Sequence, residues 1–134
     1  MFEIPSIKLP IISNGKIENK ILSQVTANKK IIIFGVPGAF TSTCSEKHLP
    51  SILNLTKEIL DKGVNDIYCI SVNDAFVMKA WLKSYSIINE IKGIADGNAE
   101  FAKIFNLQID YSSNYMGVRC KRFSLIAENN LIKK

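Results

Sequence analysis

Residues 30 to 36, Lys-Ile-Ile-Ile-Phe-Gly-Val, form a continuous apolar run that stops at Pro37-Gly38. A β-branched run of this length ended by a breaker predicts a strand buried on both faces, as in a parallel sheet covered by helices. The rest of the chain supplies the matching elements. Leu49, Ile52, Leu53, Ile59 and Leu60 recur at helical spacing between Thr43 and Lys62, with Gly63 as a stop and a kink expected at Pro50. Asp66 to Val72 reads as a second strand, and Asn73-Asp74 as the cap of a helix running through Phe76, Val77, Trp81 and Leu82 to about Tyr85. Ile91 to Ala95 is a short third strand and Asn98 to Phe105 a short helix. Arg122 to Ala127 is a strand that turns at Asn129-Asn130 into a last short one. Leu107 to Val118 reads as a long loop. Ile7 to Ile12, with Asn14-Gly15 as a turn, adds an edge hairpin before a helix near Ile21 to Val25. With 134 residues the chain is expected to form a single domain over 1–134, an α/β fold with a mixed central sheet.

Charge narrows the function. The net charge of +5 invites a nucleic-acid reading, but the lysines are scattered and never form a basic block interleaved with aromatics, so no nucleic-acid partner is expected. Fifteen of the seventeen basic residues are lysine, and the two arginines, Arg119 and Arg122, lie within four positions of each other. Where lysine serves for plain charge, arginine marks a need for a planar fork. The pair is read as a site signal, with chance clustering on an exposed strand as the alternative. The apolar runs are too short to cross a bilayer, and the N-terminus has no signal-peptide pattern, so the expectation is a cytoplasmic protein with no membrane partner.

Cys44, Cys69 and Cys120 show neither disulfide nor zinc spacing, and His48 is the one histidine. Thiol chemistry with no metal and no cofactor is expected. Cys44 follows the central strand by a few residues and falls near the start of the next helix, at the carboxyl end of the sheet where such folds hold their ligands. Helix amides and a nearby cation lower a cysteine pKa from ~8.5 to about 3.5–7.5. Thr41 could hold a substrate oxygen beside the sulfur, or serve only as a helix cap.

The segment Gly-Val-Pro-Gly-Ala-Phe-Thr-Ser-Thr-Cys-Ser-Glu-Lys-His-Leu-Pro resembles the active-site segment of peroxiredoxins, Pro-x-x-x-Thr-x-x-Cys, with Pro37, Thr41 and Cys44 in its three fixed places. The flanking residues and Cys-Ile-Ser-Val-Asn-Asp-Ala-Phe-Val at 69 to 77 are similar to the type II or type 5 subgroup. The resemblance covers roughly residues 5 to 134 and implies a thioredoxin-like fold whose sheet is flanked by helices. The family's final helix is expected to be missing, since the chain ends at Lys134. It also implies a thiol peroxidase that reduces hydrogen peroxide and organic hydroperoxides through a cysteine sulfenic acid. Cys44 is the implied nucleophile, Pro37 its shield, Thr41 the orienting hydroxyl and Arg122 the active-site arginine, with Arg119 a second local cation. His48, one turn beyond Cys44, is read as a supporting residue.

For regeneration, Cys69 and Cys120 are possible resolving thiols, each with simple burial as the alternative. Cys120 shares strand parity with Arg122 and so could face the same pocket. An external thiol, glutathione with glutaredoxin or thioredoxin, is the expected reductant. Phe40 and Phe76 are candidate anchors of a homodimer. A thiol-disulfide oxidoreductase would need a second cysteine three residues from Cys44, where Thr41 and Lys47 stand instead. A redox sensor or holdase using the same cysteine without turnover remains the alternative function.

Overall fold

The computed structural model describes residues 3–41, 54–85 and 91–133. Strands β1 (Lys8–Ser13) and β2 (Lys16–Ile21) form the first hairpin, and a single helical turn, α1 (Leu22–Val25), follows directly. The long apolar run is β3 (Lys30–Gly35). Next come α2 (Thr56–Asp61), β4 (Asp66–Ser71), α3 (Ala75–Ser84), β5 (Lys92–Ala95) and α4 (Glu100–Ile104). The chain ends with β6 (Gln108–Asp110), β7 (Val118–Cys120), β8 (Phe123–Glu128) and β9 (Leu131–Ile132).

Seven of these strands make one sheet in the order β2-β1-β5-β4-β3-β8-β9. The central trio β5, β4 and β3 is parallel, while β1 and β8 join it antiparallel on either side. The mixed sheet expected from the sequence is therefore present. The alternation of side chains sorts the core into two halves. Phe34, Ile67 and Cys69 pack with Met78, Trp81 and Leu82 of α3 on one face. On the other, Ile31, Ile33, Tyr68 and Ile70 pack with Leu9, Leu22 and Phe101.

Local sequence accounts for most of the connections. Asn14-Gly15 and Asn129-Asn130 all take positive φ, the geometry of a tight hairpin turn whose twist matches the flanking strands. Asp74 caps α3 by accepting the Val77 amide at 2.9 Å, as its position before the apolar repeat suggests. The buried face of α3 is Ala75, Met78, Trp81 and Leu82, whereas Phe76 points outward and is 78% exposed. In α2, Ile59 packs on the core and Leu60 does not. The helix expected between Thr43 and Lys62 is described only in that last part, since the Pro50 kink lies outside the described residues.

One expectation needs correcting. The stretch from Leu107 to Val118 is not a plain loop but part of a second, two-stranded antiparallel sheet, in which Ile109 pairs with Arg119. Its strands are three residues long and carry no alternating pattern, and the polar run Ser112-Ser113-Asn114 between them reads as loop. That run forms a 3-10 turn pinned by Asp110, which accepts from both the amide and the hydroxyl of Ser112. The chain leaves this small sheet at Lys121-Arg122 before entering β8, so strand parity does not carry from Cys120 to Arg122.

Candidate active site

The parallel trio delivers its connections to one end of the sheet. From β3 the chain runs through Val36, whose amide still bonds the Ile70 carbonyl, into Pro37, Gly38, Ala39, Phe40 and Thr41. This segment folds into a tight turn. Thr41 Oγ1 donates to the Gly38 carbonyl at 2.7 Å, and Phe40 takes φ 62, the left-handed region that costs a β-carbon residue roughly 1–2 kcal/mol. Such a conformation persists only where its surroundings enforce it. Asn73, in the loop after β4, supplies the enforcement. Its Oδ1 accepts the Ala39 amide at 2.9 Å and the Ser71 hydroxyl at 2.7 Å, tying the two loops together.

The small sheet brings the cation. Arg119 Nε donates to the Met116 carbonyl at 2.8 Å, which fixes the plane of the guanidinium. Its Nη1 then lies so close to Gly38 that a β-carbon there would meet it at 2.9 Å and the Thr41 methyl at 3.0 Å. Glycine at 38 is what lets the arginine approach the turn. Arg119 is partly buried and takes part in no ion pair among the described residues. Arg122, three residues on, is exposed at the entry to β8. Arg119 thus stands at the Pro37–Thr41 turn, the second local cation of the sequence reading, while Cys44, beside which Arg122 is expected, lies outside the described residues.

Both described cysteines are interior. Cys69 is fully buried in the core between Phe34 and α3. Cys120 is 2% exposed among Ala99, Ala102 and Phe123. Burial, reinforced by the Asp96 carboxylate, pushes the Cys120 thiol up to about 12, so it stays protonated and unreactive at neutral pH. Cys120 thus faces the interior rather than the turn. Cys44 and His48 lie outside the described residues. Among the described residues, no group of three or more metal-ligating side chains assembles.

Two residues that frame the site carried no signal of their own. Asn73 was read only as part of a helix cap, since a bond to Ala39, thirty-four residues earlier, is invisible in sequence. Asp96, 1% exposed, accepts the Phe101 and Ala102 amides at 3.1 and 3.0 Å and anchors the start of α4 beneath the small sheet. A lone aspartate after an apolar strand hints at such a cap and no more.

The redoxin family model matches residues 3–134. Peroxiredoxin-2C of Oryza sativa subsp. japonica is 45% identical over 114 residues, which span 85% of this chain and 70% of that protein. Among solved structures, reduced Prx3 from Vibrio vulnificus in complex with hydrogen peroxide superposes with a TM-score of 0.90 at 37% identity, covering 98% of this chain and 82% of that one. The Plasmodium falciparum antioxidant protein, a 1-Cys peroxiredoxin, gives 0.89 at 38%, covering 98% and 79%.

Proposed function

This chain belongs to the redoxin family, as a type II peroxiredoxin and hence a thiol peroxidase, and on that premise we propose that Cys44 is the sulfur that meets the peroxide. The Cys44 thiolate attacks the outer peroxide oxygen. The O–O bond breaks, water or an alcohol leaves after taking up a proton, and the cysteine becomes a sulfenic acid. An external thiol then attacks that sulfur, releasing water and forming a mixed disulfide, and a second thiol frees Cys44.

The observation that carries this assignment is the Arg119 guanidinium held against the Gly38–Thr41 turn, three residues from Cys44. Negative charge passes from sulfur to oxygen in the reaction, and a cation already fixed in place stabilises both without reorganising. Thr41 spends its proton on the Gly38 carbonyl, which leaves its oxygen lone pairs to accept a peroxide O–H. Pro37, half-buried and without an N–H, walls the turn from water. In this reading Arg122 is the active-site arginine and Arg119 a second cation at the turn, with His48 supporting Cys44.

The burial of Cys69 and Cys120 favours an external reductant over an internal disulfide, because either thiol would have to leave the core to reach a sulfenic acid. Glutathione with glutaredoxin, or thioredoxin, fills that role, and hydrogen peroxide and organic hydroperoxides are the substrates. Phe40 in the Pro37–Thr41 turn and Phe76 in the first turn of α3, 57% and 78% exposed, form the face of a homodimer.

Peroxide consumption by the full chain tests the scheme. Turnover is expected with glutathione plus glutaredoxin or with thioredoxin, and Cys44→Ser abolishes it. Turnover by Cys44→Ser at the parent rate defeats the assignment. Mass spectrometry of peroxide-treated protein with glutathione is expected to find the adduct on Cys44, and a disulfide from Cys44 to Cys69 or Cys120 in its place would reject the external route. Sedimentation of Phe76→Asp against the parent tests the dimer, which is expected to dissociate.

A further inference from the structure

At the opposite end of the parallel strands, the described residues enclose a second pocket of about 260 Å³. Tyr68 forms its floor, and Ser13, Lys20, Gln24, Lys29 and Lys92 stand around it. Tyr68 is 1% exposed, and its ring packs with Leu22, Ile33, Ile70 and Phe101. Its hydroxyl nevertheless meets no hydrogen-bond partner among the described residues, and the Lys92 ammonium stands 6.0 Å from the ring centroid. Among the described residues no fully enclosed side-chain oxygen or nitrogen lacks a partner, so this hydroxyl keeps an opening to solvent through the pocket it lines. A buried phenol left unsatisfied by the protein and turned into a basic recess is a donor waiting for an acceptor.

The surrounding charges point to an anion. Lys29 and Lys92 each pair with Asp66, at 3.2 and 3.1 Å, and each retains further N–H groups. Lys20 stands at the mouth, 3.5 Å from Glu18, with both side chains about half exposed. Three ammonium groups thus face two carboxylates. The donors are point charges spread around the space, the way lysine ammonium groups hold a phosphate. Burial and Asp66 push the Tyr68 phenol well above its ordinary range, so it keeps its proton and donates.

We propose that this pocket binds a phosphate-type oxyanion, free or as a small monoester, with the Tyr68 hydroxyl and the Lys29 and Lys92 ammonium groups donating to its oxygens. Thermal unfolding and amide NMR titrations of the full chain with inorganic phosphate and with glycerol phosphate test it, against sodium chloride at matched ionic strength. A saturable rise in Tm with either phosphate but not with chloride is expected, since a ligand bound only to the folded state stabilises it. Shifts should cluster at Lys20, Gln24, Lys29 and Lys92. Tyr68→Phe keeps the packed ring and should weaken binding about tenfold, the worth of one charge-assisted hydrogen bond. Lys92→Gln should weaken it similarly. Tighter binding of glycerol phosphate identifies a monoester as the ligand, and equal binding identifies free phosphate. Unaltered affinity in Tyr68→Phe, or shifts that chloride reproduces, would overturn the proposal while leaving the peroxidase assignment untouched.

Discussion

The same three parallel strands end in two different kinds of polar structure. At their carboxyl ends the loops are joined by neutral hydrogen bonds through Asn73, and the nearby cation, Arg119, is oriented by a carbonyl and not by a carboxylate. At their amino ends the cations are gripped by a carboxylate, Lys29 and Lys92 on Asp66, and Asn65 clamps the backbone of Lys30 in both directions. The contrast lies in what each end does with positive charge. A guanidinium held by a carbonyl keeps its full field for a thiolate or a peroxide, whereas an ammonium beside a carboxylate has most of its field cancelled. One end carries the proposed reactive segment, and the other the proposed anion pocket.

The largest effect that bears on this contrast is kinetic. Arg122→Lys is expected to lower kcat/KM for peroxide on the order of 100-fold, the scale of losing one fixed donor to developing negative charge, and Arg119→Lys to lower it by less. Stopped-flow oxidation of both variants decides it, and unchanged kinetics in Arg122→Lys would remove that arginine from the reacting centre. Gly35→Ala comes next, because a β-carbon there would sit 2.0 Å from the Phe123 ring, itself stacked on Phe101. Overpacking of this kind should cost about 3 kcal/mol in denaturant unfolding. Asn73→Ala leaves the Ala39 amide without its acceptor and the Ser71 hydroxyl with only the Met78 sulfur, for about 2 kcal/mol, and should slow peroxide reduction as the Pro37–Thr41 turn loosens.

Alkaline pH tests the buried thiol beside Arg119. The Cys120 thiol titrates near 9.0 when unfolded and near 12 when folded. Above pH 9 the unfolded chain therefore binds fewer protons than the folded one, and stability falls as pH rises, by up to ~1.4 kcal/mol per unit. Stability curves of Cys120→Ala should lack this decline where it begins, between pH 9 and 10, and an unchanged slope would place the loss elsewhere. The smallest effect belongs to the other end of the strands. Asp66→Asn removes two partly exposed ion pairs and should cost no more than ~1 kcal/mol. A cost well above that would mean the amino end is held as tightly as the reactive one.

How much of this was readable in advance depended on distance along the chain. β3 was legible because six consecutive residues carry its pattern, and both hairpin turns because asparagine and glycine tolerate positive φ. The Pro37, Thr41 and Cys44 spacing was legible for the same local reason. The small sheet was not, since strands of three residues are too short to show a period and their pairing spans the Ser112-Ser113-Asn114 turn. The place of Arg119 against Gly38 depended on that hidden sheet.

Local sequence was sufficient to settle the α/β class and the central strand, because each rests on backbone preferences and side-chain alternation among near neighbours. Only the folded chain could decide which arginine stands at Gly38, which side-chain amide holds the turn, and that the Tyr68 hydroxyl opens onto lysines. Those contacts join residues tens of positions apart, and they are set by how strands pair and where each side chain is left room, which no short stretch of sequence encodes.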